Sequence, residues 1–154
     1  MDTRDAIETR AGDVAAIRFL VERFLDTWER KDAAAAAAFH AIDGVAESPM
    51  YGTLSGRQAI EDGYRAFFTS FPDATFTIES MVIDPPRVAM FTTVNATHMN
   101  DFFGLPGTNR PLMFRNSRLF EIDDQGLIAH ERRIYDFTGV LVQIGVLRAK
   151  PAKP

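Results

Sequence analysis

The apolar residues of this chain change their spacing at Phe71-Pro72, and this change limits the possible folds more than any other feature. From Asp13 to Phe71 they recur at helical intervals. Beyond Pro72 they alternate with a period of two, in β-rich runs at 75–83, 87–99, 112–122 and 127–137. Helices followed by a set of strands predict an α+β fold. We expect a cone-shaped, curved antiparallel sheet with the N-terminal helices packed in its concave face.

Local signals divide the N-terminal half into three helices. Asp32 precedes a run of six alanines and is suited to cap that helix, and Ser55 with Gln58 matches a capping box. The organisation we predict is a flexible N-terminus at 1–12, a single domain at 13–148 and a flexible tail at 149–154.

Composition excludes several classes of function. A net charge of -4 without a basic run argues against nucleic-acid binding, which needs clustered cations. No apolar run approaches the roughly 20 residues of a membrane span, and there is no signal-peptide pattern, so we expect a cytoplasmic protein. The chain has no Cys, and its His, Asp and Glu residues lack metal-ligand spacing, so neither metal nor cofactor is predicted.

The segment DQG at 124–126 predicts a three-residue hairpin loop that ends in a glycine with positive φ. If Asp123 faces Leu127, one side of the hairpin carries an unusual mixture of apolar and polar residues. A solid core would not tolerate so many polar groups, and a solvated face would not need the aromatic ones, so this side indicates a pocket. The predicted lining includes Phe114, Asn116, Arg118, His130 and Arg132, with Asp136 at the end of the same side.

Asp136 is a carboxylate in the mostly apolar segment RRIYDFTGVLVQIG at 132–145. Drawn toward a core, it must find a hydrogen-bonding partner, take up a proton or reach the surface. The first outcome has a simple form, in which Asp136 caps backbone N–H groups of the following FTGVL turn.

Four stretches in order resemble the SnoaL-like polyketide cyclases of the nuclear transport factor 2-like superfamily: FLDTWERKD at 24–32, SGRQAIEDGYRAFFTSFPD at 55–73, THMNDFFGLPGTNR at 97–110 and RIYDFTGVLVQIG at 133–145. The third resembles the family's Thr-His pair and Gly-aliphatic-Pro turn, and the fourth its Asp-x-x-Gly. Two positions depart from the pattern, since Arg132 stands where Trp is common and Asn100 where Gly is common. This superfamily hosts enzymes of several kinds as well as non-catalytic binders.

The resemblance implies a cofactor-free enzyme that acts on a small hydrophobic carbonyl compound by aldol-type cyclisation or isomerisation. By motif position, Asp136 would be the general acid/base and His98 would orient the substrate oxygen, although a lone His is as often a core residue. Phe24 and Trp28 on the first helix would line the pocket mouth. The alternatives are a non-catalytic small-ligand-binding module and an epoxide hydrolase that holds water with Asp136 and Asn100. We also expect a homodimer formed through the outer face of the sheet.

Arg118 and Arg132 face each other in the predicted register, and two cations so placed repel unless an anion lies between them. The anion is either an internal acidic residue or a carboxylate of the ligand, and the second reading predicts an acidic ligand. A register shift of one residue would instead put Arg132 on the opposite face from Arg118.

Overall fold

The computed structural model describes residues 2–148 and 150, so most of the predicted tail at 149–154 lies outside the described residues. Across this part of the chain there are four helices and six strands, in the order α1 (Thr3–Glu29), α2 (Ala33–Ala37), β1 (His40–Ser48), β2 (Gly52–Ser55), α3 (Arg57–Ser70), β3 (Thr75–Asp84), β4 (Arg87–Thr97), β5 (Pro111–Ile122), β6 (Ile128–Ile134) and α4 (Phe137–Gln143). None of these helices is both long and apolar enough to cross a membrane.

The six strands form one sheet in the order β2-β1-β6-β5-β4-β3. Every neighbouring pair is antiparallel except β1 and β6, which run parallel. The predicted α+β class is therefore confirmed, and the sheet is mixed rather than wholly antiparallel. Three irregularities, in the pairings of β1 with β6, β3 with β4 and β5 with β6, strengthen the local twist and bend of the sheet.

The helices behave partly as the sequence predicts. Asp32 caps α2 through a 2.9 Å bond from the Ala35 N–H to its carboxylate, and α3 ends at Ser70, before the predicted break. Helix α1 begins at Thr3, well before the predicted domain start at residue 13. The Ser55 capping box is wrong, because Gly56 holds the N-cap position of α3 with φ 89° and Gln58 bonds Asp62 instead.

One face of the sheet packs against α1 and α3 to form the core. Along β4 and β5 every second residue is buried, including Val88, Met90, Phe114 and Phe120. Helix α1 contributes Phe24 and Trp28, and α3 contributes Tyr64 among others. The core therefore lies between the inner face of the sheet and these two helices.

The β5–β6 hairpin begins in the predicted register and then departs from it. Ile122 pairs with Ile128 as expected, but Glu121 then pairs with His130, which leaves Ala129 as an extra residue. Beyond this bulge each β6 side chain points to the opposite face from the predicted one. The predicted pairing of Arg118 with Arg132 is wrong, since Arg118 faces Arg133 and Arg132 faces Leu119.

Candidate functional site

A buried ionic cluster of Arg118, Glu131 and Arg133 occupies the inner face of β5 and β6. The Glu131 Oε1 atom accepts bonds of 2.8 Å from Nε of Arg118 and from Nε of Arg133, and Oε2 accepts a 3.1 Å bond from Nη2 of Arg133. The exposed fractions are 3%, 0% and 7% for Arg118, Glu131 and Arg133. Two guanidinium groups and one carboxylate give this cluster a formal charge of +1.

Aromatic rings enclose the cluster where solvent would otherwise lie. The guanidinium carbon of Arg118 is 4.5 Å from the centre of the Trp28 ring and 5.2 Å from that of Phe24. The guanidinium of Arg133 lies 5.1 Å from the Tyr64 ring. Cation–π contacts of this kind are strongest when the charge is desolvated, so they offset part of the cost of burying two cations.

Glu131 stays ionised inside this enclosure. Burial alone would raise the pKa of its carboxyl, but Arg118 and Arg133 outweigh burial and hold that pKa well below its usual range. The same group of charges reaches His40, whose Nε2 lies 2.6 Å from the Tyr64 hydroxyl. Burial, reinforced by the two arginines against the opposing effect of Glu131, lowers the pKa of His40 to about 4. His40 is therefore neutral at pH 7.

A small cavity, here called the cone cavity, adjoins the cluster. It is lined by Trp28, Tyr51, Tyr64, Phe67, Phe76, Val94, Phe114, Asn116, Arg133 and Tyr135, and its volume of about 20 Å³ is enough for about one water molecule. Three polar atoms on this wall are buried and have no hydrogen-bond partner: Nε1 of Trp28, the hydroxyl of Tyr51 and Oδ1 of Asn116. Buried polar atoms are nearly always paired, so three unpaired atoms around one space indicate a place for a ligand or water.

The polar groups around the cone cavity include donors and one unpaired acceptor. The Trp28 N–H and the Arg133 guanidinium only donate, the Tyr51 hydroxyl can donate or accept, and the unpaired Oδ1 of Asn116 accepts. Burial raises the pKa of the Tyr51 hydroxyl, which therefore keeps its proton at neutral pH. An oxygen acceptor, neutral or anionic, complements the groups of Trp28, Tyr51 and Arg133, whereas Oδ1 of Asn116 complements a donor.

Asp136 lies outside this cavity wall, and its side chain is exposed. It is the N-cap residue of α4, and its Oδ1 accepts a 2.8 Å bond from the N–H of Gly139. The Asp136 carboxylate therefore reaches the surface and accepts a hydrogen bond from a backbone N–H, two of the outcomes that the sequence allows for it. The expected position at an apolar pocket floor is wrong, because the bulge at Ala129 reverses the side on which β6 residues lie.

Arg132 and His130 also lie away from the cavity. Nε of Arg132 donates a 3.1 Å bond to Glu47, and Nε2 of His130 is 2.8 Å from the same carboxylate. Arg132 is exposed and His130 is half-buried, both on the outer side of the sheet as the bulge requires. The expectation that these two residues line the pocket is therefore wrong.

His98 and Asn100 follow the end of β4 instead of sharing a strand face. His98 is fully buried, with its ring against Phe71 and Phe102, and its Nδ1 is 3.0 Å from the Thr108 hydroxyl. Asn100 is exposed and donates a 2.9 Å bond to the carbonyl of Thr69. Neither side chain borders the cone cavity, and both stabilise the loop between β4 and β5.

The remaining predicted residues lie inside the cone. Trp28, Phe114 and Asn116 line the cavity, whereas Arg118 and Phe24 lie behind the wall and contact each other. Across the described residues, no group of three or more His, Asp and Glu side chains is arranged to hold a metal ion.

The sequence model of the SnoaL-like polyketide cyclases matches residues 18–144. The chain belongs to this family. The resemblance inferred from the four sequence stretches is thereby confirmed, and it covers both the helices that enclose the cavity and the strands that carry its polar wall. No functionally curated protein matches the chain.

Solved structures share the fold at low sequence identity. AclR from Streptomyces galilaeus, a candidate hydroxylase, is 22% identical, with 88% of this chain and 99% of AclR covered and a TM-score of 0.77. IdmH from Streptomyces antibioticus, a candidate polyketide cyclase, is 24% identical over 84% of this chain and 99% of its own, with a TM-score of 0.70. TsrD from Streptomyces laurentii is 20% identical, with 86% of this chain and 97% of TsrD covered and a TM-score of 0.74.

In this SnoaL-like chain the Asp-x-x-Gly stretch has a structural explanation. A Cβ at Gly139 would collide with the carboxylate of Asp136, so a larger residue there would displace that carboxylate from its present capping position. Farther along α4, the side-chain amide of Gln143 accepts from the N–H of Met113 at 2.7 Å and donates to its carbonyl at 3.0 Å. The motif therefore starts α4, and Gln143 fastens the helix to the part of β5 that extends beyond its pairing with β6.

Sequence reasoning missed Glu131, Arg133, Tyr51 and Tyr135 as members of the site. One signal did point toward Glu131, because facing arginines require an anion between them. Nothing in the residues IAHE at 128–131 marks a bulge, so the register that would have identified Arg133 was not available from the pattern.

Proposed function

We propose that the chain binds a small, largely apolar carbonyl compound through its electron-rich oxygen in the cone cavity, and promotes proton transfer at the carbon next to that carbonyl group. The single observation that carries this proposal is the set of three unpartnered polar atoms on the cavity wall. Membership of the SnoaL-like polyketide cyclase family supports a cyclisation or isomerisation of a carbonyl compound as the reaction.

The charge beside the cavity supports a preference for an anionic oxygen. Arg133 borders the cavity, and the cluster to which it belongs carries a formal +1 that no second carboxylate among the described residues balances. A carboxylate or an enolate in the cavity would supply the missing negative charge, and preorganised donors in a dry site stabilise such charge strongly. Arg133 thus takes the place that the sequence reasoning gave to Arg132.

The proposed proton transfer needs a proton acceptor. Glu131 is held ionised between two guanidinium groups and is too well hydrogen-bonded to act as a base. The acid/base role of Asp136 stays a prediction, and so does the orienting role of His98. Since Asp136 caps α4 outside the cavity wall, the second candidate is a binding module without catalysis. Epoxide hydrolysis has no comparable observation in its favour.

Binding is tested with phenylacetic acid and its methyl ester, using the fluorescence of Trp28, which is the single Trp of the chain and lines the cavity. The acid should bind more tightly by about 5- to 150-fold, as for a charge-assisted hydrogen bond. Asn116→Leu changes the cavity wall and should alter the affinity for both compounds, whereas Asn95→Leu on the exposed side of β4 should not. Equal affinity for acid and ester would refute the anion preference.

Catalysis is tested by deuterium exchange at the carbon next to the carbonyl of β-tetralone, followed by NMR. Asp136→Asn is the informative variant, because Asn caps helices about as well as Asp but is a poor base. Loss of exchange in this folded variant would support Asp136 as the base. Exchange that continues unchanged would end that assignment, and binding without exchange in the parent protein would favour the binding module.

We also propose a homodimer formed through the outer face of the sheet. That face exposes Val82 at 58%, Phe91 at 44% and Ile134 at 64% of their side-chain surface. Ser117 of β5 pairs with Phe91 of β4 on one side and with Ile134 of β6 on the other, so these two apolar residues lie on the same face, on the strands that flank β5. Such a patch is typical of a protein interface.

A further inference from the structure

Tyr51 borders both the cone cavity and a second space. An outer pocket of about 370 Å³ lies between α3 and the loop after β4, with Ala66, Thr69, Phe102 and Phe103 among its lining residues. Tyr51 lies in the turn between β1 and β2, and within the described part of the chain it alone borders both spaces.

The Tyr51 side chain packs against the core but has no hydrogen bond that holds it in this position. Its hydroxyl is buried yet has no hydrogen-bond partner, so rotation of the side chain would break no hydrogen bond. Its ring lies 5.4 Å from that of Phe103, which is 62% exposed. The backbone is fixed more firmly, since the Tyr51 N–H donates a 3.3 Å bond to the Ser48 hydroxyl.

The cone cavity is too small to hold a whole organic ligand by itself. The cone cavity holds about one water molecule, whereas pockets for small organic ligands span roughly 300–1,000 Å³. Only the oxygen end of a ligand would fit beside Trp28 and Arg133. The outer pocket is large enough for the rest of such a ligand, and its aromatic residues suit an apolar body.

We propose that the outer pocket and the cone cavity are two compartments of one binding site, and that Tyr51 is the side chain that moves to join them. The ligand class is an elongated amphiphile, a carboxylate or enolisable carbonyl attached to an apolar body. Its oxygen end lies inward against Trp28 and Arg133, and its body lies outward against Phe103. The inference rests on the proposed function, because it assumes that the oxygen binds in the cone cavity.

The barrier is tested without any ligand by acrylamide quenching of Trp28 fluorescence, because Trp28 lines the cone cavity and is 5% exposed. Tyr51→Ala should raise the quenching constant severalfold. Tyr51→Phe keeps the ring and loses only an unpaired hydroxyl, so it should fold and remain as protected as the parent. An unchanged constant in folded Tyr51→Ala would overturn the barrier. The same rise in Phe91→Ala, at the outer face of the sheet, would overturn it too.

The two-compartment site is tested with ω-phenylalkanoic acids of increasing chain length. Each methylene that enters the outer pocket should improve affinity by about fourfold until the pocket is filled. Phe103→Ala should reduce this gain and leave the preference for acid over methyl ester intact. A flat dependence on chain length with that preference retained would refute the inference and spare the proposed function. Loss of the preference itself would count against the proposed function.

Discussion

The buried ionic cluster makes Glu131→Gln the most informative substitution for stability. Glutamine keeps the shape of the side chain but removes the negative charge from between Arg118 and Arg133, whose guanidinium groups both bond to it. Removing one partner of a buried ion pair costs about 3–5 kcal/mol, because an uncompensated charge stays in the core. Here two cations would remain, so we expect a loss at or above the upper end of that range.

This magnitude is comparable with the whole stability of a small domain, which is about 5–15 kcal/mol. Urea unfolding followed by Trp28 fluorescence should therefore show a large fall in the midpoint, or no folded baseline. In a Glu131→Ala variant, which leaves space between the two guanidinium groups, acetate should partly restore the folded state, whereas it should not restore Glu131→Gln, whose side chain fills that space. Sulfate and chloride at matched ionic strength control for general salt effects.

The matched control is Glu47→Gln, which removes a carboxylate from an exposed ion pair with Arg132 on the other side of the sheet. Solvent screens that pair, so its loss should be far smaller than the loss at Glu131. If the two variants lost equal stability, or if Glu131→Gln were harmless, the burial argument would be wrong. The +1 charge that supports the anionic ligand would then need another explanation.

Three further predictions concern acid stability, the α4 cap and the outer face. Folding lowers the pKa of His40 from about 6.5 to about 4, so at a pH between these values the unfolded chain binds a proton that the folded chain does not. The free energy of unfolding, measured by urea unfolding, should therefore fall by about 2 kcal/mol between about pH 7 and about pH 5. Gly139→Ala should lower the melting temperature more than Asp136→Asn, because its Cβ collides with the cap while Asn retains it; equal melting temperatures would contradict the cap. Ile134→Asp should convert a dimer to a monomer in sedimentation velocity, and an unchanged mass would place the interface elsewhere.

The change of hydrophobic period at Phe71-Pro72 was enough to predict the fold class and all four strands beyond it. Strands β1 and β2 were missed for a physical reason. The sequence HAIDGVAES of β1 has no regular alternation, because the pairing of β1 with β6 is interrupted between His40 and Val45. Neither these strands nor the parallel pairing leaves a periodic signal in the sequence.

The predicted site depended on register, and register is where local patterns carry least information. The loop at 124–126 fixed the first pairs correctly, with Asp123 opposite Leu127 and Ile122 opposite Ile128. A single extra residue then moved Arg132 outward and Arg133 inward. Residues on β5 were unaffected by the shift, and Asn116 lies on the cavity wall as predicted.

The sequence predicts an anion between two arginines that face each other across β5 and β6, and the structure has one. The facing pair is Arg118 and Arg133 instead of Arg118 and Arg132, and the anion is Glu131, which the bulge turns inward, and not a ligand. One carboxylate does not neutralise two guanidinium groups, however, and the remaining charge lies at the cavity wall through Arg133. A buried charge that no opposite charge balances reduces the free energy of unfolding, unless another interaction compensates for its lost solvation. If binding of an anionic oxygen balances this charge, the protein gains stability only with ligands that carry such an oxygen. Arg118 and Arg133 would then lower the stability of the unliganded protein and, for the same reason, make binding selective for an anionic oxygen.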